Sequence, residues 1–351
     1  MAQRDLRLDL LKCLALACIA VAHLNPPAWL QQLGNFNVIL LVLVAGAGYR
    51  LSESGRTRSY WEYLRRRVPR LIVPVWIYFA AYFGGLWLVT WLAERPFPVS
   101  WKKVLGAFLL LDTIGYSWIL RILALVAIAA PLLPALRKRL ENERQYLLAA
   151  LTLLLTACVV VHLFPSLRNG LPGYPPFLTW RLLVEIFPYF GVFALGTCLP
   201  LLDRRRARLL GGCFLLAWIY LFCWHQNWAW VTSVGAIRWN DGFKYPPEPY
   251  YLTYGLGVSF LFWSALPVPL RLGERLERAV TFVGRHSLSF YLWHVAWLSP
   301  LGMGSWRGHP LIVQFVLLTA LVTGCVALQT LLVDGFRQRR RTKNDDRVNI
   351  D

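Results

Sequence analysis

The chain has 351 residues, of which 57% are hydrophobic and only 16% are charged, and it contains 17 tryptophans. Soluble domains carry about a quarter charged residues, so this composition indicates a polytopic membrane protein. A net charge of +19 would otherwise suggest nucleic-acid binding. The basic residues instead form short clusters between apolar runs, as in the loops of membrane proteins, and we expect no nucleic-acid partner.

The first apolar run carries ionisable side chains at both ends. Asp9 and Lys12 lie near its start, and His23 lies at its end. On a helix, Lys12 and His23 lie within roughly 20° of each other on one face and roughly 16 Å apart along the axis. Ionisable groups inside a membrane are costly and suggest function. The structural alternatives are that Lys12 snorkels to the headgroups and that His23 is interfacial.

The same N-terminal stretch has some features of a cleavable signal peptide: basic residues from Arg4, an apolar core and the sequence Ala20-Val21-Ala22. Asp5 and Asp9 are unfavourable in the basic region of such a peptide. We therefore expect an uncleaved first span.

Apolar runs long enough to cross a membrane predict an all-α polytopic bundle of about ten transmembrane helices. The predicted spans are residues 8–24, 35–51, 71–92, 117–135, 147–164, 182–200, 208–224, 251–267, 280–298 and 311–333. The run at 104–111 is too short and is predicted to be re-entrant or interfacial. We predict one transmembrane domain, residues 1–334, and a disordered basic cytoplasmic tail, residues 335–351.

Basic residues divide unequally between alternate connections. One set of connections carries 25 of them and the other carries 8, with Lys12, Arg50, Arg121 and Arg285 left inside spans or at their edges. The positive-inside rule therefore places both termini in the cytoplasm. Lys12 is then expected near the cytoplasmic end of the first span and His23 near its outer end.

The outer connections at 165–181 and 225–250 are rich in Trp, Tyr, Pro and Asn. Aromatic faces beside hydrogen-bonding groups suit sugar rings, and an aromatic belt at the membrane interface is an equal alternative. The seven cysteines lie in or at the end of apolar runs, without CxxC or Cys/His spacing. We therefore expect packing roles for them, and neither disulfides nor a metal site.

Two arginines three residues apart, Arg67 and Arg70, precede the third span. Guanidinium groups at a cytoplasmic mouth can bind phosphate through bidentate hydrogen bonds, and simple topogenic charge is the alternative. Pro69 between them is predicted to lie in the first turn of the helix.

The ninth predicted span carries polar side chains on one face. His286 and His294 are eight residues apart, with Ser287 and Tyr291 between them, as in a site built between helices. Hydrogen bonding between helices is the structural alternative. Glu185, near the start of the sixth span, could orient a histidine or pair with a basic residue.

Several catalytic motifs are missing from the sequence: a GxSxG elbow, HExxH, a Walker A loop, and His followed five positions later by Asp. A nucleophilic serine triad is therefore not supported.

Three motifs together resemble the membrane acyltransferase 3 family. They are Asp9-Leu10-Leu11-Lys12 with His23, Arg67-x-x-Arg70, and Gly284-x-x-Ser287 continuing to Tyr291 and His294. The resemblance covers nearly the whole chain and includes the ten-span layout. The chain departs from many members at Val44-Ala45-Gly46-Ala47-Gly48, where they have Ser-Gly-Phe. It also departs after Trp118-Ile119-Leu120, where many members carry Glu and this chain has Arg121 with no acidic residue nearby in the sequence.

The resemblance implies a membrane enzyme of the bacterial inner membrane. It would transfer an acyl group, commonly acetyl, from cytoplasmic acyl-CoA to a hydroxyl of a glycan or glycolipid at the outer face. Carried over by position, Lys12 and His23 take the family's basic-residue and histidine roles and are the catalytic candidates, and Arg67 and Arg70 take those of its paired arginines. The candidates for supporting roles are Asp9, Glu185, His286, Ser287, Tyr291 and His294.

On this interpretation, the CoA donor is bound by Arg67, Arg70 and Lys12, and His23 acts as general base on the acceptor hydroxyl. A transient acyl-histidine is the competing mechanism. Membrane lipid and a glycan-assembly machinery are expected partners. The alternative from another class is a transporter or flippase for a glycan or lipid-linked intermediate, in which the same polar groups bind substrate or relay protons.

Overall fold

In the computed structural model, the described residues are 4–53, 59–111, 117–170, 184, 186–226, 243–244, 246–298 and 308–348. Within these ranges the chain is helical and contains no strand, which confirms the all-α class. The helices are α1 (Leu6–Ala22), α2 (Ala28–Gly34), α3 (Asn37–Glu53), α4 (Tyr60–Leu92), α5 (Trp101–Phe108), α6 (Trp118–Ala129), α7 (Leu132–Lys138), α8 (Glu143–Gly170), α9 (Phe187–Cys198), α10 (Arg204–His225), α11 (Pro249–Ala265), α12 (Glu274–Arg285), α13 (Ser287–Leu298) and α14 (Leu311–Val348).

Five helical segments of the described chain are long and apolar enough to cross a membrane: Ala28–Glu53, Tyr60–Leu92, Glu143–Leu163, Arg204–His225 and Leu311–Gly335. A sixth is formed if α6 and α7, bent by 40°, make one span. Each of the ten predicted spans overlaps a helix, but the count of ten is not confirmed. The difference lies in helices of 12 to 17 residues, which are shorter than the hydrocarbon thickness requires.

The centre of the bundle is α3, whose residues from Asn37 to Val44 are all buried. It packs against α1, α9 and α11. A helix that is apolar on every side is stable only in the interior of a bundle or in lipid.

The outer helices α4, α8, α10 and α14 expose large apolar side chains, among them Ile77, Leu155, Leu216 and Ile312. Such surfaces are unfavourable in water and are expected where a helix faces hydrocarbon.

Glycines allow the central helices to approach closely. An added Cβ on Gly46 of α3 would overlap the Phe193 carbonyl oxygen and lie 3.0 Å from the Gly196 Cα of α9. An added Cβ on Gly196 would in turn overlap the Leu43 carbonyl oxygen. Small residues at such crossings let backbones pack directly against each other, which is a main source of stability between membrane helices.

The ninth predicted span is divided. The helix α12 ends at Arg285, His286 caps it, and α13 starts at Ser287. His286 Nδ1 donates to the Phe282 carbonyl at 2.9 Å and so satisfies one of the last carbonyls of α12. The prediction that His286 and His294 share one helix face was therefore wrong, because it assumed an unbroken helix.

Two other local predictions differ from the structure. Ser59 caps α4 by accepting from the Glu62 amide at 3.2 Å, so this helix begins at Tyr60 and Pro69 lies well inside it. The last helix continues to Val348, so residues 335–348 are helical where we expected a disordered tail. Arg, Gln and Lys are good helix formers and extend a helix that an apolar span has already nucleated.

The close contact between α3 and α9 gives a stability prediction. Gly46→Ala should lower the free energy of unfolding by roughly 1–3 kcal/mol or more, because the new methyl group meets backbone atoms that cannot rotate away. The matched control is Gly48→Ala on the same helix, where an added Cβ meets nothing within 4 Å. SDS titration of the purified protein measures both, and equal stability of the two variants would contradict the packing described.

Candidate active site

The helix α1 ends at a defined position, which places His23. Asn25 takes a left-handed conformation with φ 53°, and Pro26 and Pro27 cannot continue a helix. His23 is the C-cap, and its amide donates to the carbonyls of Ile19 and Ala20, both at 3.2 Å. The histidine therefore sits on the last turn of a helix whose first turns carry Asp9 and Lys12.

His23 forms a hydrogen bond with His294 of α13. Their Nδ1 and Nε2 atoms lie 3.1 Å apart. The ring planes are parallel to within 2°, with centroids 5.4 Å apart. This centroid distance places the hydrogen bond between the ring edges, in the common plane that an N–H···N bond prefers. His294 is buried, with 5% of its surface exposed.

A neighbouring carbonyl fixes the direction of this hydrogen bond. His294 Nδ1 lies 2.5 Å from the Tyr291 carbonyl oxygen. A carbonyl only accepts, so this Nδ1 carries a proton, and Nε2 of the neutral His294 ring is an acceptor. His23 Nδ1 must then donate to it, which places the lone pair of neutral His23 on Nε2.

The other end of α1 is organised by a buried carboxylate. Asp9 is 2% exposed and accepts from Arg4 Nη2 at 2.9 Å and from Lys12 Nζ at 3.5 Å. Arg4 Nε also donates to Asp9. A carboxylate at this depth requires such partners, because an uncompensated buried charge costs several kcal/mol.

Gly284 leaves the space in which the Asp9 carboxylate lies. An added Cβ on Gly284 would overlap Oδ1, Cγ and Cβ of Asp9. Next to it, the Cys13 thiol points to the Val280 carbonyl at 3.7 Å. The first and third motifs of the sequence therefore meet here, because α1 and α12 pack against each other.

The two candidate arginines of α4 differ in burial and in their electrostatic partners. Arg67 is half-buried and interacts electrostatically with Lys12 and with Tyr49 and Tyr63. Its Nε is buried and has no hydrogen-bond partner among the residues that the structure describes. Arg70, three residues along α4, is exposed.

The remaining candidates are distributed as follows. Tyr291 is buried and packs edge-on against His294, with ring centroids 4.8 Å apart. Ser287 is half-buried at the start of α13. His286 lies in an open surface depression along α12, away from the histidine pair. Glu185 lies outside the described residues.

Two further residues beside α1 were not singled out by the sequence. Lys244 interacts electrostatically with His23, and its Nζ lies 5.5 Å from the ring centroid of Trp118. Asn35 caps α2, which packs on α1, and is 2% exposed. Its amide nitrogen has no hydrogen-bond partner within the described ranges. Neither residue belongs to a recognisable pattern, so only spatial proximity identifies them.

Comparison with known proteins identifies a matching family. A family model described as an acyltransferase domain, Acyl_transf_3, matches residues 5–330. The chain belongs to this acyltransferase family. No curated protein and no solved structure matches it.

The match runs from the N-terminus of α1 into α14, so the acyltransferase domain includes both ends of the candidate site. Family and fold together establish a multi-pass membrane acyltransferase. Among the described residues of the acyltransferase, no group of three or more His, Cys, Asp or Glu side chains is arranged to hold a metal ion.

The contact between Gly284 and Asp9 can be tested in the acyltransferase by a double-mutant cycle. Gly284→Ala should destabilise the protein because its methyl group displaces the carboxylate. The loss should be smaller in an Asp9→Ala background, with a coupling of roughly 0.5–3 kcal/mol. Gly212→Ala on α10, where an added Cβ meets nothing within 4 Å, is the control and should show no coupling to Asp9. SDS titration of the wild type, Gly284→Ala, Asp9→Ala and the double variant, and of Gly212→Ala with and without Asp9→Ala, gives these values; additive losses would exclude the contact.

Proposed function

We propose that this acyltransferase moves an acyl group from cytoplasmic acyl-CoA to a hydroxyl of a cell-surface or exported glycan, or of its glycolipid precursor, at the outer side of the bacterial inner membrane. The observation that carries the proposal is the direction of the His23–His294 hydrogen bond. It leaves the lone pair of His23 on Nε2, as a general base requires.

The reaction needs two proton transfers, one from the acceptor hydroxyl to His23 and one from His23 to the leaving thiolate. The acceptor hydroxyl oxygen attacks the thioester carbonyl carbon while His23 Nε2 takes the hydroxyl proton. A carbon–oxygen bond forms, the carbon–sulfur bond breaks, and the proton passes from His23 to the departing thiolate to give CoA–SH. His294 is a positioning residue, since it holds the His23 ring and accepts from its Nδ1–H while the imidazolium exists.

The donor end would be the group of Lys12 and Arg67. The two cations interact electrostatically, and of the two only Lys12 has a carboxylate partner, Asp9, among the contacts described above. Arg67 presents a buried Nε–H that a phosphate oxygen could accept from. Two neighbouring cations repel each other, and an anionic donor such as the phosphates of CoA would relieve that repulsion.

The acceptor would bind at the His23 end. Lys244 supplies a cation there, which suits the oxygen atoms of a glycan. The aromatic connections at 165–181 and 225–250 fall largely outside the described residues. Their composition supports sugar stacking as a prediction from sequence.

The charge distribution supports cytoplasmic termini, with 25 basic residues on one side against 8 on the other. Under that orientation the Lys12 end faces the cytoplasmic acyl-CoA pool and the His23 end faces the exported acceptor. A glycan-assembly machinery that delivers the acceptor is the partner this arrangement requires.

The donor assignment predicts different effects for three arginines of α4. With acetyl-CoA and a crude glycolipid extract in liposomes, Arg67→Ala should raise the donor KM roughly 10- to 100-fold, as expected for one charge-assisted hydrogen bond of about 1.5–3 kcal/mol. Arg70→Ala should have a smaller effect because the residue is exposed. Arg66→Ala is the matched control, since Arg66 is exposed and pairs with Glu62 at 3.1 Å.

An equal effect of all three substitutions would contradict the donor site. Movement of labelled glycolipid across the bilayer, without CoA release from any donor, would replace the proposed enzyme with a transporter.

The assignments of His23 and His294 predict a specific order of activities. His23→Ala should lower kcat roughly 10²- to 10⁴-fold with donor binding retained, since general-base catalysis contributes about that much. His294→Leu should also lower kcat at an unchanged donor KM. His294→Gln should recover part of the activity, because its amide oxygen can accept from His23 Nδ1–H.

Single-turnover CoA release, with and without acceptor, measures the chemical step. Release without acceptor would favour the acyl-histidine route, and full activity of His23→Ala would exclude His23 as the base. Equal activity of His294→Leu and His294→Gln would exclude the proposed acceptor role of His294.

A further inference from the structure

A cavity of about 220 Å³ lies beside α1, on the side of α13 and α14. From α1 it is lined by Cys13, Ala17 and Ala20, which follow one another at helical spacing on one face. Phe290 of α13 and Leu318 of α14 contribute to the opposite walls. The cavity therefore extends from the level of Lys12 to within one turn of His23, about 10 Å along the helix.

The cavity reaches one member of the histidine pair. The His294 ring forms part of its wall, and the same ring accepts the hydrogen bond from His23. The thioester carbon must lie near His23 during transfer, so the first carbon atoms of the acyl chain lie next to His294. A longer acyl chain can extend from this position into the apolar cavity.

The size and chemistry of the cavity limit its occupant. Its lining is mainly apolar, and apolar cavities of this kind exclude water and accept hydrocarbon. A water molecule occupies about 30 Å³ in the liquid, and a methylene group is of similar size, so the space holds roughly seven such groups. An acetyl group fills only a small part of it, while the tail of a membrane lipid exceeds it.

We propose that this cavity receives the acyl chain of the donor, so that the protein transfers acyl groups of about four to eight carbon atoms as well as acetyl. The inference rests on the proposed function, since it assumes an acyl-CoA donor and His23 as the base. Thr319 and Thr323 of α14, both exposed, form the rim on the lipid-facing side.

The test uses acetyl-, butyryl-, hexanoyl-, octanoyl- and dodecanoyl-CoA with the full chain in liposomes, measuring both donor binding and acceptor-dependent CoA release. The wild type should use hexanoyl-CoA with a kcat/KM within threefold of the acetyl value or above it, and should bind dodecanoyl-CoA no better than octanoyl-CoA. Ala17→Leu fills the cavity one turn farther from His23 than Ala20, beyond the space that an acetyl group occupies. It should lower kcat/KM for hexanoyl-CoA at least 10-fold while acetyl-CoA stays within about twofold.

Two further variants separate chain selection from a folding defect. Ala320→Leu makes the same substitution at an exposed position of α14 outside the cavity and should leave the chain-length profile unchanged. Val322→Ala enlarges the cavity and should move the preferred chain length upward by one or two carbon atoms. A damaged protein would not gain activity on longer chains.

The outcomes distinguish the two proposals. Turnover of acetyl-CoA alone, with the same chain-length profile in Ala17→Leu and Val322→Ala, would overturn the acyl cavity and leave the proposed function in place. Neither binding nor turnover of any acyl-CoA would overturn the proposed function and the cavity assignment with it. A preference for dodecanoyl-CoA in the wild type would show that the hydrocarbon lies elsewhere, and would also overturn the assignment.

Discussion

The buried carboxylate of Asp9 is the interaction on which one end of this molecule depends. A charge in the interior of a helical bundle must be compensated, and Asp9 draws Arg4 and Lys12 towards it. The same carboxylate needs the open space above Gly284, so it also sets how closely α12 can approach α1. One side chain thus determines the position of a cation and the packing of two helices. The electrostatic contact between Lys12 and Arg67 builds on that position.

At the His23 end of α1, the side chains are held in place by hydrogen bonds between neutral groups rather than by charge. The Tyr291 carbonyl fixes the tautomer of His294, and His294 fixes that of His23. The successive hydrogen bonds, from His23 to His294 and from His294 to the Tyr291 carbonyl, resemble those of a catalytic triad, with a backbone carbonyl in the place of the terminal carboxylate. A neutral acceptor gives less stabilisation to an imidazolium than a carboxylate does, and it avoids burying another charge in the bundle. The packing of α1 against α3 and α13 holds the pair at one depth.

Both ends lie on one short helix, which bears on the proposed transfer. A donor held at Lys12 and a base at His23 would be separated by roughly 16 Å of helix, so the donor would have to reach inward while its anionic part stays behind. The apolar cavity beside α1 lies along that distance. The central helices α3 and α9 are held together by contacts between glycines and backbone atoms.

The sequence by itself determined the all-α membrane class, the family, and the pairing of Lys12 and His23 on one helix. These follow from composition, motif spacing and helical periodicity, which are local properties. It could not fix the number of spans, because short central helices and a break at His286 depend on neighbouring elements. Tertiary structure alone brought His294 to His23, brought Arg67 into electrostatic interaction with Lys12 while leaving Arg70 exposed, and did the same for Lys244 and His23. Contacts between residues far apart in the chain are set by packing, and a single sequence carries no local signal for them.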